Sequence, residues 1–339
     1  MKTIEYTPQG YINMRALIDH ERSSFIFITG ARGGGKTFGA LDYAIRHQDR
    51  PFILMRRTQV QADFAGAVAT SPLAANLWEG EYLEQVKTGN KNLSQINIMR
   101  YADPEPELVR TCYIVALSTV ASMRGIDLTR CGLLVFDEFI KEPHERPIKE
   151  EFSAFKNAYE TINRNRELQG DEPLKVIALS NALDLANPYY RGFGLVNEVY
   201  KMNGEVLTDP AQGVAIYRPH SAAFTDAKKK TALYKLKGAE ETLGNAWADM
   251  DLTNVKSLNL KTASPICSID EVGFYKIHAK VYASAAKPVN APAYSMQDRI
   301  DVAALHKRQQ GVINALFNRK VTFESVDVML RCQEITARL

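Results

Sequence analysis

Residues 30 to 37 read Gly30-Ala31-Arg32-Gly33-Gly34-Gly35-Lys36-Thr37, a complete G-x-x-x-x-G-K-[ST] pattern. They stand between the apolar run Phe25-Ile26-Phe27-Ile28 and the helix-forming stretch Phe38 to His47. A strand, a glycine-rich turn and a helix in that order predict a phosphate-binding loop, whereas a chance Lys-Thr after glycines would lack the flanking elements. Glycines let successive backbone N–H groups converge on phosphate oxygens without Cβ clashes, and the helix N-terminus adds positive partial charge. Lys36 is then placed to reach the β- and γ-phosphates, and the Thr37 hydroxyl to ligate Mg²⁺. All eight residues are candidate contacts for a nucleoside triphosphate, ATP with Mg²⁺.

A second signal lies about a hundred residues on. Leu133-Leu134-Val135-Phe136 is an apolar strand that runs straight into Asp137-Glu138. An Asp at the C-terminal end of a buried parallel strand faces the crevice where α/β sheets bind ligands. Asp137 is thus a candidate metal ligand beside Thr37, and Glu138 a candidate catalytic base that polarises the attacking water. An acidic turn after a core strand is the bland alternative, weakened by the loop upstream.

Further strands are expected at Pro51 to Met55, at Ile96 to Met99 and Cys112 to Leu117 around the turn Asp103 to Glu107, and at Lys175 to Leu179. Thr58 to Val86 reads as helical, broken by Ser71-Pro72 and Gly80. Glu150 to Leu168 reads as an amphipathic helix, with Phe152, Phe155, Tyr159 and Ile162 on one face. Strands alternating with helices predict an α/β fold with a parallel sheet. At least one strand separates the loop from Asp137 in the chain, which favours the additional-strand class of RecA-like and helicase-like ATPases. Residues 1 to 22 read as a peripheral lead-in.

Three more positions invite chemistry. Asn181, after the strand ending at Ser180, stands where a side chain can sense the γ-phosphate, or simply helps a turn before Asn187-Pro188. Arg164 and Arg166 close the amphipathic helix and are expected on the surface, either as a finger that completes a neighbouring subunit's site or as a solvated basic helix end. Arg56, with Arg57, Arg32 and Arg124, can meet phosphate or a neighbour.

Beyond about residue 200 the texture changes. We expect an ATPase domain over 1–200, a linker over 201–238 and a C-terminal domain over 239–339, with strand-like alternation at Gly273 to Ala283 and Val321 to Val328 and a long helix at Gln297 to Asn314. A net charge of +3 over 339 residues permits a nucleic-acid partner without requiring one. Lys276, His278 and Lys280 alternate, hence are expected on one strand face, and with Lys228 to Lys230, Lys235 and Lys237 they form either a phosphate-binding surface or a solvated one. Cys112, Cys131, Cys267 and Cys332 form no C-x-x-C pair and read as reduced buried thiols, with no disulfide or zinc framework. No stretch approaches a membrane span, so a soluble intracellular protein is expected.

Several segments together resemble the DNA-packaging (encapsidation) ATPases of φ29-like phages. They are Ile28 to Gly33 through Lys36, Met55-Arg56-Arg57, Leu134 to Ile140, Asn163-Arg164-Asn165-Arg166-Glu167, and Leu179-Ser180-Asn181-Ala182 with Asn187-Pro188-Tyr189. The close resemblance covers roughly residues 25 to 195. It implies an additional-strand ATPase in a homo-oligomeric ring of five subunits on the portal of a procapsid, driving double-stranded DNA inward by ATP hydrolysis. It also implies that Arg164 acts in trans, that the C-terminal domain is a small α+β, vestigial RNase H-like module, and that a packaging RNA serves as scaffold. The expected location is the host cytoplasm and, transiently, the portal vertex. Asp270, Glu271, Asp298, Asp301, Glu324 and Asp327 read as solvated acids, and no nuclease activity is expected. A helicase of the same ATPase class, or a nucleotide-dependent assembly switch, are the alternatives.

Overall fold

The computed structural model describes residues 3–123, 126–142, 145–181, 184–185, 187–232, 234 and 252–339. The chain divides into two compact units, Met1–Tyr189 with Met202–Ala248, and Tyr190–Lys201 with Asp249–Leu339.

The first unit is a mixed α/β fold around a nine-stranded sheet. In chain order its elements are α1 (Met14–His20), β1 (Phe25–Thr29), α2 (Lys36–Arg46), β2 (Phe52–Arg56), α3 (Gln59–Gly66), β3 (Glu81–Val86), β4 (Leu93–Arg100), β5 (Glu107–Ala116), β6 (Leu133–Asp137), α4 (Glu151–Asn163) and β7 (Lys175–Ser180). After α5 (Pro188–Gly192) and α6 (Val196–Tyr200) the chain returns with β8 (Val206–Asp209), β9 (Val214–Tyr217) and α7 (Ala222–Lys229). The strand order is β3-β4-β5-β2-β6-β7-β1-β9-β8. From β5 to β9 every neighbouring pair is parallel, while β3, β4 and β8 run antiparallel at the two edges. The central strands are buried on both faces: Ile26–Ile28, Phe52–Met55, Leu133–Phe136 and Val176–Leu179 are 0–1% exposed. Burial on both faces is why these strands read as unbroken apolar runs.

Between β1 and β6 in space lies β7, which follows both in the chain. The intervening strand is therefore not the Phe52–Arg56 strand that precedes β6 in sequence, which pairs on the far side of β6. The stretch from Thr58 is helical only at its start, and the part after Gly80, expected to be helical, is a strand. A capping box of Thr58 and Gln61 starts α3, which ends at Gly66, and residues 81–86 form an edge strand. The expected linker, 201–238, is corrected too: β9 is almost fully buried against β1, and β8 closes the sheet edge. Conversely Tyr190–Lys201 groups with the C-terminal unit, where the Asn197 side chain accepts from the Asp327 backbone N–H and Arg191 pairs with Glu334.

The second unit has a five-stranded sheet, β13-β10-β11-β12-β14, built from β10 (Ser264–Ile269), β11 (Val272–Ile277), β12 (Lys280–Ser284), β13 (Ala293–Tyr294) and β14 (Val321–Phe323). It packs on α8 (Arg299–Arg308), α9 (Gln310–Phe317) and α10 (Val326–Arg338) through Phe274, Leu305, Ile313, Leu316, Val328 and Ile335. The alternating stretch Gly273 to Ala283 is a hairpin rather than a single strand. His278 and Ala279 both sit at positive φ, 46° and 63°, in a two-residue turn between Ile277 and Lys280. Lys276 pairs opposite Val281 and Lys280 opposite Ile277, so the two lysines lie on opposite faces. Val321 to Val328 also divides, because Ser325 caps α10 and turns the chain into helix. The Gln297 to Asn314 helix breaks at Gln309.

Candidate active site

The C-terminal ends of β1, β7, β6 and β2 form one edge. In register, Thr29 pairs with Ser180 and Asp137 with Leu179, and Met55 pairs with Phe136, which brings Gly30, Asn181, Glu138 and Arg56 to the same rim. The Gly30 N–H donates to Ser180 O at 3.2 Å and anchors the start of the loop. Gly33 and Gly35 adopt φ of 86° and 82°, conformations that side chains rarely tolerate. A Cβ on Gly33 would lie 3.1 Å from Lys228 Nζ.

Lys36 opens α2 and is buried. Its ammonium donates to Gly30 O (2.9 Å), Ala31 O (2.8 Å) and Asn181 Oδ1 (2.9 Å), so all three protons point into the loop mouth. Burial pushes its pKa down to about 8; Asp137 opposes that shift and Lys228 adds to it. The Thr37 hydroxyl donates to Asp137 Oδ1 at 2.9 Å. Arg56 bridges the two acids, 2.9 Å from Asp137 Oδ2 and 3.1 Å from Glu138 Oε2. Glu138 takes φ of 59° immediately after β6, a strained backbone of the sort that functional sites retain. Burial raises its pKa; Asp137, Glu142 and Glu145 add to this while Arg56 opposes it. Arg32 is exposed at the loop. The structure thus gathers Lys36, Thr37, Asp137, Glu138, Arg56 and Asn181 around Gly30–Gly35.

Thr37 and Asp137 fit Mg²⁺ by donor chemistry: a hydroxyl and a carboxylate, both oxygen donors, meet beside the loop. No cluster of three or more His, Cys, Asp or Glu suited to a metal occurs among the described residues.

The neighbouring arginine does something else. Arg57 is fully buried, doubly bonded to Glu151 (2.8 and 2.9 Å) and bonded to Glu145 at 2.9 Å, with Tyr189 donating to Glu151 and Gln61 to Glu145. It cannot meet phosphate or a neighbour. It ties β2 to the start of α4 and to the segment after Glu138.

The two helix-end arginines also part company. Arg164, in the left-handed conformation at the end of α4, is exposed and donates to Ile126 O at 3.4 Å. Arg166 does not emerge on the surface as expected; it is buried and donates to Thr129 O and Cys131 O. Arg124, Ala182, Lys235 and Lys237 lie outside the described residues.

Two contacts at the loop were not foreseen from the sequence, although Lys228 was a candidate phosphate contact. The N-terminal segment is not peripheral: the Ile12 N–H donates to Gly34 O, and a largely apolar hollow opens between Tyr11, Asn13 and Arg15 on one side and Gly35, Phe38 and Asp42 on the other. Lys228 of α7 reaches the loop at Gly33 with its ammonium over the rings of Phe224 and Tyr234. Neither carries a spacing pattern that links it to residues 30–37.

A model of the podovirus DNA encapsidation protein (Gp16) family matches residues 7–256. The DNA packaging proteins of Bacillus phages PZA and phi29 are each 28% identical to this chain over 268 residues, 75% of its length. The chain spans 66% of the length of those relatives. It shares the fold of the Phi-28 gp11 DNA packaging motor, with a TM-score of 0.58 over 98% of both chains at 20% identity. With more than two thirds of its residues inside the family model, the chain belongs to the podovirus DNA encapsidation protein (Gp16) family.

Proposed function

We propose that this chain is an ATPase that drives double-stranded DNA into a viral procapsid, working as a homo-oligomeric ring of five at the portal. What carries the reading is the convergence of Lys36, Thr37, Asp137 and Glu138 on one loop in a chain of the encapsidation family. With β7 between β1 and β6, the sheet supports the additional-strand class.

Backbone N–H groups of the loop and the Lys36 ammonium bind the triphosphate, trading the Gly30 and Ala31 carbonyls for phosphate oxygens. Thr37 and Asp137 hold Mg²⁺, which when bound neutralises charge developing on the phosphates. Glu138 orients the attacking water and takes its proton, a role helped by a raised pKa. Arg56 keeps both carboxylates aimed at the rim. Asn181, bonded to Lys36, reports the γ-phosphate to β7. Arg164, exposed at the end of α4, completes the site of an adjacent subunit, while Arg166 is a strut.

The C-terminal unit is read as a vestigial RNase H-like module without nuclease activity. Its acids have local duties. Asp270 accepts from Met296 N, Asp301 from Ser295 N and Asp298 from Ile300 N; Glu324 holds Ser284, Glu271 pairs with Lys287 and Asp327 with Arg331. The ring would act at the portal vertex in the host cytoplasm, with a packaging RNA as scaffold.

The test is hydrolysis measured alone, with DNA, and with DNA plus procapsids. Stimulation by DNA and procapsids together is expected. Strand separation without procapsid dependence would point to a helicase, and negligible turnover to a switch. Arg164→Ala rings should regain activity when mixed with Glu138→Gln subunits; absence of complementation would remove Arg164 from the neighbour's site.

A further inference from the structure

The chain that leaves β9 crosses the glycine loop. Ile28 pairs with Tyr217 in the parallel β1–β9 ladder, so the segment after Tyr217 emerges at the same sheet edge as Gly30. Ser221 then caps α7 by accepting from the Phe224 N–H at 3.2 Å. The fit against the loop is close. A Cβ on Gly30 would lie 3.4 Å from Pro219 O, and Pro219, Ser221 and Phe224 share a small hollow with Gly30, Gly34 and Lys36. Further along α7, Lys228 Nζ stands 3.1 Å and Phe224 Cζ 3.7 Å from where a Cβ on Gly33 would be. Loop and helix both belong to the first unit.

Lys228 is held at this spot by rings, not by an acid. Its ammonium lies 5.1 Å from the Phe224 ring centre and 5.4 Å from that of Tyr234, and Phe224 packs in turn on Tyr11 at 5.9 Å. A ring face attracts a cation but leaves its charge uncancelled. None of the ion pairs among the described residues includes Lys228. Lys36 is near enough that Lys228 adds to the effect of burial in lowering its pKa. The two ammonium groups therefore repel one another across the loop, and a lysine with only a structural duty would swing its flexible stem into water. An anion bound at the loop reverses the sign: both cations then attract it. The glycine backbone around them suits phosphate oxygens, which Lys binds as a point charge.

We propose that Lys228 is a further phosphate-binding residue of the nucleotide site, carried over Gly33 by α7 and touching an oxygen of the phosphate chain. The assignment rests on the ATPase reading above and adds to Lys36 a second lysine from the same chain.

The experiment titrates the full-length protein with a fluorescent ATP analogue in the presence of Mg²⁺, with ATP and ADP as competitors. Lys228→Met keeps the apolar stem on the two rings and deletes the charge. It should weaken ATP binding roughly tenfold to a hundredfold, the range of a hydrogen bond to a charged group. Lys228→Arg should restore most of that affinity, which a merely structural role for the stem would not require. Lys229→Ala removes an exposed cation one residue on and should bind as the wild type does. A loss confined to ATP places the contact on the γ-phosphate, and an equal loss on ATP and ADP places it on the α- or β-phosphate. Should Lys228→Met fail to fold, Lys228→Gln carries the same expectation. Wild-type affinity in the folded variants, an equal loss in Lys229→Ala, or no recovery in Lys228→Arg overturns the assignment. Lys36→Ala distinguishes the two levels. If it abolishes binding while Lys228→Met binds normally, the nucleotide site stands and only the role of Lys228 falls. If the wild type does not bind, or Lys36→Ala binds as well as the wild type, the reading beneath both falls.

Discussion

The two units use their acidic side chains in opposite ways. In the first, Asp137 and Glu138 leave the end of β6 and meet Thr37 of α2 and Arg56 of β2, groups drawn from two other elements. In the second, Asp298, Asp301 and Asp327 bond within a few residues of themselves, while Asp270 accepts from Met296 N and Glu324 from Ser284 and Ala285, and no three acids gather into one cluster among the described residues. Carboxylates make a site when different strand ends point them at one volume, and make caps and turn staples when they serve their own loops. The same contrast recurs within arginine pairs. Arg164 is exposed and Arg56 pairs with Asp137 and Glu138 at the strand ends, while Arg57 and Arg166 are buried struts one or two residues away.

That contrast can be broken most sharply at Glu138. Glu138→Gln should retain ATP and lose hydrolysis by about 10²–10⁴-fold, as expected when a general base is removed; near-normal single-turnover rates would deny it the base role. Next in size, Arg57→Ala should cost about 3–5 kcal/mol in urea unfolding, because Glu151 and Glu145 would be left without their cation in the interior. Arg56→Ala should cost less stability and more turnover. Equal stability losses at the two positions would erase the distinction between strut and site.

A third expectation concerns pH. The folded pKa of Lys36, about 8, lies below its ordinary value of 10.5. The unfolded chain therefore binds the extra proton between those values, so stability relative to a Lys36→Met variant should rise as pH increases from about 8 to 10.5. Phosphate binding needs the charged form and should weaken over the same range. Lys228→Ala removes a cation that depresses the Lys36 pKa, so it should weaken ATP binding while moving this alkaline limb upward; a limb that stays put would separate Lys228 from the loop. The smallest effect belongs to the second unit. Asp270→Ala should cost about 1 kcal/mol for the lost bond to Met296 N and leave ATP hydrolysis unchanged.

Much of the first unit was legible in the sequence, for a physical reason. Strands buried on both faces show as apolar runs, and the loop from Gly30 to Gly35 requires glycines at Gly33 and Gly35, where φ is positive. What could not be read depended on partners distant in the chain. Nothing in Arg56-Arg57 says which guanidinium meets Glu151, since that is decided by where α4 packs. β8 and β9 are four residues each and become strands by pairing beside β1. The His278-Ala279 turn lacks the Gly or Asn that announces positive φ, which is why two strands read as one. The spacing of Arg164 and Arg166 could not separate them either; only the backbone carbonyls of Thr129 and Cys131 do.

The most direct measurement is the amount of genome-length DNA that becomes resistant to DNase when procapsids, DNA and ATP are combined with the wild-type protein or with Glu138→Gln. The account predicts protected DNA that accumulates with the wild type and is absent with Glu138→Gln, although that variant still binds ATP. Equal protection by the two proteins would contradict it.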